Sequence, residues 1–390
     1  MRKFVNERAA SLQPSGIRKF FDIVQRMEGA ISLGVGEPDF VTPWNVRDAA
    51  IRSIQRGYTQ YTGNRGLPEL RELISRYLKE RFDVEYPPER TIVTVGASEA
   101  IDLAVRAICE IGDEILIPEP SYVSYAPTVT LSGGVPVAVK CSAVNDFILT
   151  PEILEKVITK KTKALILPFP NNPTGAIMTR EQLEAIIPVI KKHDLLVISD
   201  EIYAELTYIG KHTSIASMGD MAERTVLING FSKAFAMTGW RVGFVCAPKE
   251  IDEAMFKIHQ YTMLCAPQMG QRAAVCALKD GLADNFSTVE EMREEYNRRG
   301  RFLVNSFNSL NLKCFQPKGA FYVFPSVEAT GLDGESFANS LLEKYKVAVV
   351  PGTAFGAAGV NHVRCSYATS MQQLTKAIER ITQFIEEIKP

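Results

Sequence analysis

The chain has 390 residues, of which 46% are hydrophobic and 23% charged, with a formal net charge of -1. That length suits two well-filled domains better than one, and the balance of residues excludes a disordered or membrane-spanning chain. Near-neutral charge gives no general attraction to nucleic acid or anionic lipid, so any anion site must be built locally from placed residues.

The opening segment, MRKFVNERAASLQPSG, lacks an apolar run followed by a small-residue cleavage site. Nowhere does the sequence approach the ~20 apolar residues of a membrane span. The seven cysteines are scattered, odd in number and form no CxxC pair, which fits reduced thiols in the cytoplasm. His193, His212, His259 and His362 form neither HExxH nor a Cys/His cluster, so they read as structural or surface residues and no metal site is expected.

Between about residues 90 and 250, short β-rich runs alternate with helical patterns, the signature of a mostly parallel sheet with helices on both faces. Seven strands are expected, at 91–95, 114–117, 135–139, 164–167, 195–199, 225–228 and 242–246. Between them, 98–110 places Ile101, Ala104, Val105 and Ile108 on one helical face, and 180–192 does the same with Leu183, Ile186, Ile187 and Ile190. Runs such as ALIL and LLVIS are apolar on both sides and need helices above and below. A helix at 267–279 and a long charged one at 289–307 come next, then strands at 319–324, 347–350 and 362–368 and a closing helix at 371–389. The expected division is a large domain, 45–285, and a smaller α/β domain, 1–44 with 286–390, closing over a cleft.

Ligands collect beyond the carboxyl ends of strands in such sheets, so the residues after each strand carry the chemistry. Gly96, Ala97 and Ser98 come after IVTV and open a helix, offering backbone amides, a dipole and a hydroxyl to a phosphate. PFPNNPTG comes after ALIL; Asp200, Glu201, Ile202 and Tyr203 after LLVIS; GFSKAFAMTGWR after TVLIN. Ser232 and Arg241 add a hydroxyl and a planar guanidinium suited to phosphate oxygens. Asp200, at the end of an apolar strand, needs a cationic partner such as a protonated pyridine nitrogen. Lys233, close to that arginine, has its ammonium form disfavoured and is readier to act as an amine nucleophile. Singly, each has an ordinary reading: a solvated lysine, a helix-capping aspartate, a core tyrosine, a plain turn. Their placement at successive strand ends carries the inference.

Over almost its whole length the sequence resembles the fold-type I pyridoxal 5'-phosphate (PLP) enzymes of the class I/II aminotransferase family. The motifs run in order: GEPDF from Gly36, Tyr61 before GLPELR, GASEAI, PSY ending at Tyr122, NNPTG, SDEIY, SKAFAMTGWR, GAFYVFP and HVRCSYA. The resemblance leans toward bacterial aromatic and diaminopimelate-type aminotransferases. It implies that Lys233 carries PLP as a Schiff base and that Asp200 pairs with the pyridine nitrogen. Tyr203 and Asn172 would hold the phenolic oxygen, and Tyr122 would stack on the ring. Gly96, Ala97, Ser98, Ser232 and Arg241 would hold the phosphate, with Tyr61 arriving from a second subunit of a homodimer. Arg364 would clamp the substrate α-carboxylate, assisted by Asn172 and the backbone of Gly36. For the side-chain pocket the sequence suggests only Ile17, Arg18 and Tyr58.

The expected function is therefore ping-pong transfer of an amino group from an L-amino acid to a 2-oxo acid. A C–S lyase using the same cofactor is the main alternative, and a non-enzymatic PLP-binding regulator a weaker one. A nicotinamide enzyme is set aside, because GVG at 34–36 is soon followed by Pro38 and opens no helix of the right type.

Overall fold

The computed structural model describes residues 2–14 and 27–388, so Ile17 and Arg18 lie outside the described residues. In chain order the main elements begin with α1 (Glu7–Ser11), β1 (Ile31–Ser32), α2 (Trp44–Gln55) and α3 (Pro68–Phe82). The next are β2 (Thr91–Thr94), α4 (Ala97–Ile108), β3 (Glu114–Glu119), α5 (Tyr125–Leu131), β4 (Val135–Lys140), α6 (Pro151–Glu155), β5 (Thr162–Leu167), α7 (Arg180–Lys192) and β6 (Leu196–Asp200). Then come β7 (Thr225–Gly230), β8 (Gly243–Cys246), α8 (Lys249–Thr262), α9 (Gln268–Asp284) and α10 (Ser287–Ser309). The chain closes with β9 (Tyr322–Val323), α11 (Gly334–Tyr345), β10 (Val347–Ala348), β11 (Val350–Pro351), β12 (Val363–Ser366) and α12 (Met371–Ile388).

Local chemistry explains the helices that position the site. In α3, Pro68 opens the first turn, Leu70, Ile74, Tyr77, Leu78 and Phe82 recur on one buried face, and Asp83 ends it in the left-handed conformation. Helix α7 starts on a capping box in which Thr179 and Gln182 satisfy each other's backbone amides.

Seven strands form one sheet in the order β2-β8-β7-β6-β5-β3-β4. All pairs are parallel except those of β8, which runs antiparallel to both β2 and β7. Successive residues feed opposite faces. Ile115, Ile117, Ala164 and Ile166 pack with Ala100, Ile101 and Val105 of α4, whereas Leu116, Leu165 and Leu167 pack with Leu183, Ile186 and Ile190 of α7. The α/β architecture with its mostly parallel seven-stranded sheet is the one expected. A separate core joins α10, α11 and α12 to β9 and β12.

The single run expected at 347–350 is instead two short strands. β10 pairs in parallel with β1, while β11 pairs antiparallel with β12, because the chain passes from one neighbour to the other at Val349. Reversal of β8 has a direct consequence for the site. The residues just before β8 emerge at the same edge as the residues just after β2 and β7, where Gly243 faces Thr94 on one side and Gly230 on the other. A Cβ on Gly243 would sit 2.6 Å from the Gly96 carbonyl carbon, so only glycine admits this close approach.

Candidate active site

At that shared edge, α4 opens directly from Gly96, whose φ of 76° is in the glycine-favouring region. Ala97 and Ser98 form its first turn, where backbone N–H groups have no partner within the helix. Arg241 packs against the turn, and a Cβ on Gly96 would lie 2.5 Å from Arg241 Nη2. The same guanidinium donates to the Val95 carbonyl at 3.4 Å. Ser232 is buried at the neighbouring strand end, after β7.

Asp200 closes β6 and is buried. Burial pushes its carboxyl up to about 6, against the lowering effect of hydrogen bonds from Tyr125 and the Ile202 amide. Tyr125 donates to Oδ2 at 2.8 Å and Ile202 N–H to Oδ1 at 3.2 Å. Among the described residues no cation lies within ion-pair distance of this carboxylate.

Lys233 comes after β7, and its Nζ donates to the Gly36 carbonyl at 2.6 Å. Burial lowers its pKa from the ordinary 10.5 to about 8; Glu37 and Asp200 oppose this, and Arg364 and Arg241 reinforce it. Nζ lies 5.7 Å from the ring centres of Tyr203 and Phe321.

Arg364, on β12, is buried, and burial works against its charge. Its Nη1 donates to Asn172 Oδ1 at 3.0 Å and its Nη2 to the Gly34 carbonyl, but its Nε has no partner among the described residues. The NNPTG turn that presents Asn172 is fixed by Asn171, whose side-chain oxygen accepts from the Thr174 amide at 3.1 Å and the Thr174 hydroxyl at 2.8 Å. Tyr122, after β3, packs edge-on to Tyr125 at 5.6 Å.

Gly36, Gly96, Ala97, Ser98, Tyr122, Asn172, Asp200, Tyr203, Ser232, Lys233, Arg241 and Arg364 thus gather at one edge of the sheet and its facing layer. Tyr61 does not join them from its own chain, being 81% exposed. None of the histidines is among these residues: His193 contacts Glu155, His212 contacts Glu201, His362 stacks on Phe324, and His259 contacts Glu99 behind the Gly96 turn.

Two residues at the site escape the sequence reading. Tyr125 is one; its signal is its place three residues after Tyr122, in the first turn of α5. Tyr322 is the other, with its hydroxyl 2.8 Å from that of Tyr203 and its ring 4.5 Å from the Arg364 guanidinium. The FYVF run hides it among core aromatics.

Pyridoxal phosphate fits this arrangement. A buried lysine with a depressed pKa, a buried carboxylate lacking a cation, and helix-opening amides beside an arginine match its aldehyde, pyridine nitrogen and phosphate. The buried Arg364, with an orphaned Nε, adds a place for a carboxylate. Sheet and site together define the class as a PLP-dependent transferase of fold type I.

Residues 28–381 match the family model for aminotransferase class I and II, and the chain belongs to that family. It is 53% identical, over 99% of its length and 100% of the relative, to YugH of Bacillus subtilis, which bears an aminotransferase name. It is 46% identical to an aspartate aminotransferase of Pyrococcus abyssi, over 99% of each chain. A solved aromatic aminotransferase of Pyrococcus horikoshii superposes with a TM-score of 0.90 at 44% identity, covering 95% of this chain and 99% of the other. The protein is a PLP-dependent aminotransferase, and the lyase and regulator readings are not favoured.

Proposed function

We propose that Lys233 both carries the cofactor and moves the substrate proton, in ping-pong exchange of an amino group between an L-amino acid and a 2-oxo acid. The observation that carries this reading is the pairing of a buried, weakly basic Lys233 with a buried Arg364 that meets no carboxylate among the described residues. When bound, PLP supplies an aldehyde that condenses with amines and a protonated ring that accepts an electron pair.

The remaining work falls to the chain. Asp200, held at both oxygens by Tyr125 and the Ile202 amide, keeps its charge directed at the ring nitrogen. Gly96, Ala97, Ser98, Ser232 and Arg241 hold the phosphate, while Tyr203 and Asn172 serve the phenolic oxygen and Tyr122 covers the ring. Arg364 orients the α-carboxylate, with Asn172 and the Gly36 backbone, so that the Cα–H bond faces Lys233. With the cofactor bound, Lys233 would be the base for that proton, because its Nζ is neutral more readily than that of an ordinary lysine.

We also infer a homodimer in which Tyr61 completes the partner's phosphate site. The exposed apolar side chains of Trp44, Ile51 and Ile54 on α2, together with exposed Tyr61 and Tyr261, support this reading. Sedimentation is expected at twice the chain mass. A monomeric species that retains full activity would refute this arrangement. Residues 45–285 form the large domain in this reading, and 1–44 with 286–390 the smaller one that closes and excludes water. A cytoplasmic location accords with seven free cysteines.

The decisive experiment gives the PLP-loaded protein one amino acid at a time, without oxo acid. Stoichiometric release of the matching 2-oxo acid, with no ammonia or thiol, is expected from its productive donors. A panel of aspartate, aromatic, branched and diaminopimelate-type donors ranks them. Release of ammonia or thiol instead would overturn the reading.

A further inference from the structure

We propose that Glu99 and His259 form a buried positioning pair that shapes the phosphate-binding turn and cancels the charge of the carboxylate lying behind it. This rests on the reading of Gly96, Ala97, Ser98 and Arg241 as the phosphate cradle.

Glu99 lies in the first turn of α4 and His259 on α8, both buried. Glu99 Oε2 accepts the Val95 N–H, just before the cradle, and Oε1 lies 2.6 Å from His259 Nδ1. The other ring nitrogen, Nε2, lies 2.9 Å from the Asn64 carbonyl oxygen. A carbonyl can only accept, so Nε2 carries a proton. One further proton lies between Nδ1 and Glu99, and whichever atom holds it, the pair is neutral overall.

Neutrality resolves a conflict at this helix end. A carboxylate near an N-terminus suits the dipole, yet the phosphate bound at the same end is itself strongly negative. Without His259, Glu99 would repel the ligand whose site it shapes.

The shaping is specific. Val95 is held through both of its backbone groups, its N–H by Glu99 and its carbonyl by Arg241 at 3.4 Å. Losing Glu99 leaves that N–H without its partner and releases one side of the turn on which Arg241 is seated. The grip extends to the segment carrying Tyr61. Besides the His259 bond to Asn64, Gln260 of α8 donates to the Asn64 side chain at 3.2 Å, and Asp252 of α8 binds Arg65. One buried imidazole therefore ties the cradle to the loop three residues beyond Tyr61.

The test compares binding of PLP and of pyridoxal, which lacks the phosphate, to full-length protein stripped of cofactor. Glu99→Ala is expected to weaken PLP by about tenfold or more while leaving pyridoxal nearly unchanged. Glu99→Gln, which can still accept from Val95 and donate to a neutral His259, is expected to restore the preference for PLP. Should Glu99→Ala not fold, Glu99→Asp, one methylene too short to span both partners, carries the same expectation. Arg241→Ala separates the two readings. If it loses the preference while the Glu99 variants keep it, the positioning pair is refuted and the cradle stands. If none of the variants loses it, both fall. Equal weakening of PLP and pyridoxal by Glu99→Ala would reduce the pair to general packing and also refute the proposal.

Discussion

Lys233→Met is expected to lower transamination by at least about a thousandfold while leaving the protein folded. Methionine keeps the apolar stem and removes only the amine, whose one hydrogen bond in the described structure is to the Gly36 carbonyl. Borohydride treatment of the loaded wild type should leave cofactor mass on the peptide containing Lys233, and treatment of the variant should not. Normal turnover by the variant would refute the assignment. Stability supplies a second readout with a definite sign. Because the folded-state pKa of Lys233 is depressed to about 8, folding disfavours the protonated form. That penalty, on the order of 3 kcal/mol, is fully present below pH 8 and fades as pH rises toward the ordinary 10.5. Stripped of cofactor, Lys233→Met should therefore melt no lower than stripped wild type at pH 7, and any advantage should vanish once pH passes the ordinary 10.5.

Arg364→Lys is the second large expectation. A guanidinium presents a fork to a carboxylate, and an ammonium on a shorter stem does not, so the exchange is not conservative here. Turnover per unit donor, kcat/KM, should fall by about a hundredfold or more, most of it in KM, with cofactor binding retained. The hydrogen bonds of Arg364 in the described structure are to Asn172 and the Gly34 carbonyl, not to Lys233, Asp200 or the Gly96 turn. An unchanged KM would remove Arg364 from the carboxylate site. Loss of the cofactor together with activity would place it on the wrong ligand.

Much of the site is legible in the sequence because the sheet imposes a simple rule. Strands such as ALIL declare themselves by unbroken apolarity, and the residues just past each carboxyl end must lie at one edge. Asp200, Asn172 and Lys233 are legible in that way. Arg241 needs more, since its presence at the same edge depends on β8 running backward, and no periodicity reveals strand direction. Tyr125 and Tyr322 are hidden for another reason. Both sit in apolar surroundings, and only the hydroxyls, meeting Asp200 and Tyr203, separate them from core residues. The run at 347–350 looks like one strand because pattern reports exposure, not partners. Helix α8 is amphipathic but charge-rich, and the role proposed for it rests on His259, which reads in the sequence as an ordinary structural histidine.

The reversed strand also orders events in time. Among the described residues β2 has β8 as its sole neighbour in the sheet, and the two segments are separated by about 150 residues of chain. As the polypeptide leaves the ribosome, the Gly96 turn has no edge to rest against until Gly243 arrives, and Arg364 is still more than a hundred residues away. A nascent chain halted before residue 240 would possess Asp200 and Lys233 yet lack Arg241, and with it the seat proposed for a phosphate. The cofactor is thus a late arrival, able to reward only a chain whose first and last strands of the large sheet have already met.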